Sequence, residues 1–166
     1  MSYIYQEYSR YFAQVAHPIE QLAAEELEEL GATEVEPAYR GVHFDATPEV
    51  LYGIVYQARI PTRVLVPLMT FDCHSDNYLY QRAQELDWMS LIGVDKTFAI
   101  FATVAHSRIQ HSKYAALKLK DAIVDSIRDQ VGSRPSVERR NPDVSLNLHI
   151  DNNRATISLD AAGRSM

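Results

Sequence analysis

The chain has 166 residues, 46% hydrophobic and 23% charged, which is the composition of a folded globular protein and excludes a disordered one. Its single cysteine, Cys73, excludes an intramolecular disulfide, and no apolar run approaches the roughly 20 residues that span a bilayer. The net charge of −6 argues at first against nucleic acid as a partner, but the total hides an asymmetry. Residues 1–103 hold 6 Lys+Arg against 15 Asp+Glu, residues 104–140 hold 8 against 4, and residues 141–166 hold 2 against 3. An acidic body with a local basic stretch is compatible with a polyanion site; a solvated charged helix gives the same pattern. The first residues, Met1-Ser2-Tyr3-Ile4-Tyr5-Gln6-Glu7, lack the basic region and apolar run of a secretory signal, so a cytoplasmic protein is expected, with no membrane partner.

In chain order, Arg10 to Ala16 is β-prone and reads as a first strand. His17-Pro18 opens a helix whose apolar face is Ile19, Leu22, Ala23, Leu27 and Leu30, and Gly31 stops it. Thr33–Glu36 and Gly41–Asp45 read as two further strands. Thr47-Pro48 caps and starts a second helix with Leu51, Ile54, Val55 and Ala58 inward, and Arg63–Leu68 reads as a fourth strand. The order β-α-β-β-α-β is the ferredoxin-like pattern, and it fills residues 10–70. We therefore place a first domain at 1–70 and a second at 71–166, in an α+β fold class.

In the second half, Ser75 N-caps a helix that runs to Leu86 and ends at Asp87-Trp88. Thr97–Ala105 is the strongest strand signal in the chain. A polar turn leads into a long helix from about Lys113 to Gln130, with a buried stripe of Ala115, Leu119, Ala122, Ile123, Ser126 and Ile127. Gly132 and Pro135 end it, and Arg134 to Asp143 reads as a loop without periodicity. Val144–Ile150 and Arg154–Leu159 alternate around Asp151-Asn152-Asn153, a β-hairpin.

Two constellations bear on an anionic ligand. The turn from Ser107 to Lys113 precedes helix amides that lack partners and a positive helix end, where phosphate is favoured; Arg108 and Lys113 add charge, Ser107 and Ser112 hydroxyls. Lys113 and Lys120 share one flank of the buried stripe and Lys118 lies on the other. The second is the loop with Arg134, Arg139 and Arg140, suited to bidentate phosphate contacts, or to structural pairing with Glu138, Asp143 or Asp129. Asp72-Cys73-His74 offers too few ligands at the wrong spacing for zinc, so no metal is expected. The six glycines never cluster into a dinucleotide or phosphate loop, and nothing in the residues supplies an active site.

The segment Ser112-Lys113-Tyr114-Ala115-Ala116-Leu117-Lys118-Leu119-Lys120-Asp121-Ala122-Ile123-Val124-Asp125, the strand Thr97–Ala105 before it, and Arg134-Pro135-Ser136-Val137 to Asn141-Pro142-Asp143-Val144 after it together resemble the THUMP domain. Phe12 to Glu20, Glu25 to Ala32 and Tyr39-Arg40-Gly41-Val42-His43-Phe44 resemble the opening of bacterial 23S rRNA guanine-N2 methyltransferases, which are often labelled N6-adenine-specific DNA methylases. The resemblance covers residues 10 to 163. It implies a ferredoxin-like module followed by a THUMP α/β domain, acting as the RNA-binding, substrate-positioning part of an S-adenosylmethionine-dependent methyltransferase. The partner it implies is RNA, 23S rRNA foremost. Family members continue into a methyltransferase domain that carries the cofactor loop and an Asn-Pro-Pro-Tyr-type motif. This sequence has neither, so no cofactor and no catalytic residue are expected within it. The residues carried over as RNA contacts are Ser107, Arg108, His111, Lys113, Lys118, Lys120, Arg134, Arg139 and Arg140, and Tyr114 is placed either to stack a base or to pack on the helix stripe. A THUMP module of a thiouridine synthase or tRNA methyltransferase, or a non-catalytic protein-interaction module, are the competing readings.

Overall fold

The computed structural model describes residues 3–107, 109 and 111–161. Its contacts divide the chain into two compact units, residues 3–68 with 159–161 and residues 69–158.

The first unit begins with a short helix that the sequence pattern does not announce, α1 (Ile4–Tyr8), and continues β1 (Arg10–Gln14), α2 (Glu20–Glu29), β2 (Thr33–Ala38), β3 (Gly41–Asp45), α3 (Pro48–Gln57) and β4 (Arg63–Asp72). β3 pairs antiparallel with both β1 and β2, and β1 pairs antiparallel with β4. The order β2-β3-β1-β4 is the ferredoxin-like one. Its core gathers Ala13 and Val15 from the sheet side, Ala23, Ala24 and Leu27 from α2, Phe44 from β3, and Ile54 from α3.

The face of α2 departs from the apolar periodicity. Ile19 becomes the N-cap and stays exposed, as does Leu22, and the buried positions are Glu20, Ala23, Ala24 and Leu27. The helix starts three residues later than His17-Pro18 suggests. Glu20 can lead an otherwise apolar stripe because His17 and the Arg40 amide satisfy its carboxylate. The end of α2 follows local chemistry closely: Gly31 N–H donates to Glu28 O and Ala32 N–H to Leu27 O, each at 3.0 Å, the paired bonds of a glycine-terminated helix. Gly31 sits at φ +107°, and a Cβ there would meet Val50 Cγ2 at 3.2 Å. Gly31→Ala is expected to lower unfolding free energy by about 1–2 kcal/mol, read as a lower urea midpoint at unchanged slope.

The second unit contains α4 (Asp76–Ala83), α5 (Trp88–Leu91), β5 (Thr97–Ala105), α6 (Ser112–Val131), β6 (Ser136–Val137), β7 (Val144–Asp151) and most of β8 (Arg154–Asp160). Ser75 caps α4 as its sequence position suggests, its Oγ accepting from Tyr78 N–H at 3.1 Å. Asp87-Trp88 does not simply end that helix: Asp87 caps the extra turn α5, and Trp88 is fully buried with its Nε1 donating to Ala83 O at 2.7 Å.

α6 buries Ala115, Leu119, Ala122, Ile123, Val124 and Ile127; Ser126 of the expected stripe is only half-buried, and Val124 takes its share. β5 pairs in parallel with β7 along its whole length and with β6 at Thr97 and Phe98. β6 corrects the reading of Arg134–Asp143 as a plain loop; it is too short to show a period. Asn152 and Asn153, at φ 51° and 60°, form the two-residue turn between β7 and β8, with both residues in the left-handed region that hairpin turns favour.

The sequence reading assigns all of 71–166 to one domain. Residues 159–161 group instead with the first unit, because Asp160 pairs with Arg63 at 3.1 Å and Ala161 N–H donates to Val64 O at 2.9 Å.

Candidate nucleic-acid interface

β5 organises the site because its two ends carry the two basic constellations. Its C-terminal end, Ala105, precedes the segment that leads to α6. At its N-terminal end Thr97 lies in register with Ser136, directly before the arginine loop. A nine-residue strand spans about 26 Å and a twenty-residue helix about 30 Å, so the two constellations stand apart rather than merging into one patch.

The loop end is held firmly. Asp143 Oδ2 accepts from Thr97 N–H at 2.9 Å and from Thr97 Oγ1 at 3.2 Å, while Asp143 N–H donates back to Thr97 Oγ1 at 3.1 Å. Glu138 N–H donates to Phe98 O, and Glu138 Oε1 accepts from Arg140 N–H at 3.0 Å. The carboxylates nearest the arginines are thus turned to backbone and hydroxyl donors. Arg134, Arg139 and Arg140 are exposed, and none of them forms an ion pair among the described residues. Lys96, exposed and one residue before Thr97, joins them. Sequence reasoning passed over Lys96 because it stands alone beside Asp95; only the β5–β6 pairing places it at the arginine loop. Asp143→Ala removes two of the clamp bonds, and hydrogen exchange at the Thr97 and Glu138 amides is expected to accelerate about fivefold, equivalent to about 1 kcal/mol.

The helix end is more mixed. His111 is the N-cap of α6 and makes no side-chain cap hydrogen bond, so no N-cap side chain competes for the first amides of the helix. Lys113 is exposed and without an ion-pair partner among the described residues. Ser107 Oγ accepts from Ile109 N–H at 3.1 Å and shapes the turn. Thr103 and His149, in register on β5 and β7, share a 2.6 Å hydrogen bond, and His106 Nδ1 lies 3.1 Å from Asp151 Oδ1. Arg108 lies outside the described residues.

Lys118 and Lys120 are less available than their helix positions suggest. Lys118 Nζ sits 3.6 Å from Asp76 Oδ2 and 5.8 Å from the centre of the Tyr114 ring, and Tyr114 donates its hydroxyl to the same carboxylate at 2.8 Å. This cluster joins α4 to α6. The Tyr114 hydrogen bond, opposed by desolvation and helped by the start of α4 and by Lys118, holds the Asp76 carboxyl below its usual range. The same hydrogen bond pushes the Tyr114 phenol up. A lowered carboxylate loses its contribution only as pH falls below about 4 and a raised phenol only as pH rises above about 10, so the link holds throughout the neutral range. Tyr114 is therefore neither buried nor free: its ring is 46% exposed and its hydroxyl is tied down. Lys120 pairs with its neighbour Asp121 at 3.0 Å, an exposed contact worth little.

Cys73 is buried, and burial pushes its thiol pKa up, against a nucleophilic role. Asp72 is engaged by Arg154 at 2.9 Å, and among the described residues no group of three or more His, Cys, Asp or Glu is placed to hold a metal ion. No described helix is long and apolar enough to cross a membrane.

Comparison with known families places this architecture. Residues 73–160 match the THUMP domain model, and residues 10–65 match that of the RlmL ferredoxin-like domain. The chain belongs to the THUMP-domain family. Its THUMP region and ferredoxin-like module together also match solved structures. A predicted N6-adenine-specific DNA methylase from Listeria monocytogenes superposes with TM-score 0.78 at 17% identity, covering 94% of this chain and 41% of that one. TrmN from Thermus thermophilus gives 0.70 at 18% identity, covering 94% of this chain and 46% of that one. A 4-thiouridine synthetase–RNA complex with bound ATP gives 0.55 at 14% identity, covering 91% and 40%. At such identities the likeness is one of fold. This THUMP-containing chain spans about two fifths of the length of these proteins.

Proposed function

We propose that this chain is the RNA-binding, substrate-positioning part of an S-adenosylmethionine-dependent rRNA methyltransferase, with 23S rRNA as the substrate. The observation that carries the binding half of this reading is the set of unpaired cations at the ends of β5. In a chain of net charge −6, Lys96, Arg134, Arg139 and Arg140 stand exposed at one end and Lys113 at the other, while Arg10, Arg63, Arg82, Arg128 and Arg154 are paired with carboxylates. Unpaired guanidinium groups on a clamped loop suit bidentate phosphate contacts, and an uncapped helix start suits one more. The RNA in the 4-thiouridine synthetase complex supports the ligand class.

On this reading the chain supplies no catalytic group. S-adenosylmethionine is held by a methyltransferase domain outside the sequence, and the THUMP surface fixes the RNA backbone so that the target base reaches that domain. The setting is the cytoplasm, where ribosomal RNA is made in bacteria. A THUMP module of another RNA-modifying enzyme, such as a thiouridine synthase or tRNA methyltransferase, is the second reading, favoured by the likeness to the synthetase.

The test is methyl transfer by the full-length protein from labelled S-adenosylmethionine to unmodified 23S rRNA and to tRNA. Label in 23S rRNA is the expected result. Label in tRNA alone supports the second reading, and label in neither contradicts a methyltransferase parent.

A further inference from the structure

The first unit carries a cleft that the phosphate-binding surface does not use. It is open, about 430 Å³ in volume, and lies between the His17–Gln21 turn and the Pro37–Tyr39 end of β2. That volume falls at the small end of ligand sites, the scale of a nucleoside rather than a folded peptide. Its walls include two prolines, Pro18 and Pro37, and two rings, His17 and Tyr39, whose centroids are 5.0 Å apart. Tyr39 is 70% exposed, and the Arg40 guanidinium lies 5.3 Å from its ring centre. Tyr8, Tyr52 and Tyr56 of this unit are similarly exposed, but among the described residues Tyr39 is the one that lines the cleft.

The polar lining is as specific as the walls. Glu20 has a side chain only 12% exposed, and Oε1 is held by His17 Nδ1 at 2.6 Å and by Arg40 N–H at 3.3 Å. Burial raises its pKa, but the hydrogen bonds from His17 and the backbone amides outweigh that and keep the carboxyl below its usual range. Both of these bonds fall on Oε1, and Gln21 beside it offers an amide acceptor and donor.

We propose that this cleft takes one unpaired purine of the bound RNA, a guanine, with its ring against Tyr39 and its imino and amino donors toward Glu20 and Gln21. A carboxylate that is kept ionised accepts from those donors and repels the acceptor-rich edge of uracil. Aromatic stacking joined to edge hydrogen bonding is how single-stranded RNA is commonly read. The acidic first unit needs no phosphate surface for this: it holds a base, and the THUMP unit holds the backbone. The inference rests on the RNA-binding reading above.

The test uses fluorescein-labelled single-stranded RNA octamers carrying either one central guanine or inosine, which lacks the amino group, titrated at two salt concentrations. Tyr39 is exposed, so Tyr39→Ala folds normally. It is expected to lower affinity for the guanine octamer about tenfold with the salt slope unchanged, and Tyr39→Trp to restore it. Inosine is expected to weaken wild-type binding and to make no further difference in Tyr39→Ala. Tyr39→Ala binding like the wild type would overturn the cleft and leave the phosphate surface standing. A loss of salt slope in Tyr39→Ala would overturn it too, by moving the effect to phosphate contacts. If the wild-type chain binds no RNA at all, the RNA reading falls and the cleft with it.

Discussion

Replacing Arg134, Arg139 and Arg140 together by alanine is expected to weaken RNA binding on the order of a hundredfold or more near 0.1 M salt. Each phosphate contact adds about 0.7 to 0.9 to the slope of log affinity against log salt, which amounts to roughly five- to tenfold per contact at that concentration. The three arginines are exposed, and their side chains support no described ion pair, so the folded state is little affected. Lys113→Ala at the other end of α6 is expected to cost about one contact, roughly five- to tenfold. Lys118→Ala is expected to change RNA binding little, since its ammonium is held beside Asp76 and the Tyr114 ring. Fluorescence anisotropy on a labelled rRNA hairpin reads all three. Equal losses from Lys113→Ala and the triple arginine variant would show that the RNA engages the helix start rather than the loop.

Trp88→Ala is expected to be the most damaging single substitution for stability, lowering unfolding free energy by about 3–5 kcal/mol. The indole is fully buried, and its Nε1–Ala83 O bond at 2.7 Å ties the short turn α5 to the end of α4. That is a large share of the roughly 5–15 kcal/mol typical of a domain. Trp88→Phe keeps most of the apolar volume but removes the indole hydrogen bond to Ala83 O, so about 1–2 kcal/mol is expected. The chain has one tryptophan, so urea unfolding is followed by circular dichroism rather than fluorescence. A loss below 1 kcal/mol in Trp88→Ala would mean that α5 does not contribute to the core.

The elements most legible in the sequence were those with local signals. Gly41–Asp45 alternates from Val42 on and Thr97–Ala105 is a β-prone, largely apolar run; Thr47-Pro48 and Ser75 are caps whose side chains accept from the helix. What escaped depends on contacts distant in sequence. The two residues of β6 exist only because β5 offers a parallel edge, and Lys96 gains meaning only beside them. The burial of Glu20 is set by Arg40, twenty residues on, so hydrophobic periodicity put Ile19 and Leu22 in its place. The candidate site divides the same way. Arg134, Arg139 and Arg140, which the sequence left open between phosphate contacts and structural pairing, are exposed, while Lys118 is drawn into a cluster with Asp76 and Tyr114 that no local spacing reveals.

The central claim, that the THUMP unit grips RNA through its phosphates, is tested most directly by the salt dependence of binding. The chain is titrated with one labelled 23S rRNA hairpin between 50 and 200 mM salt. The account predicts that log affinity falls linearly with log salt, with a slope of about three or more, as expected for contacts from the arginine loop and Lys113. Binding whose affinity does not change with salt, or no binding at the lowest salt, would contradict it.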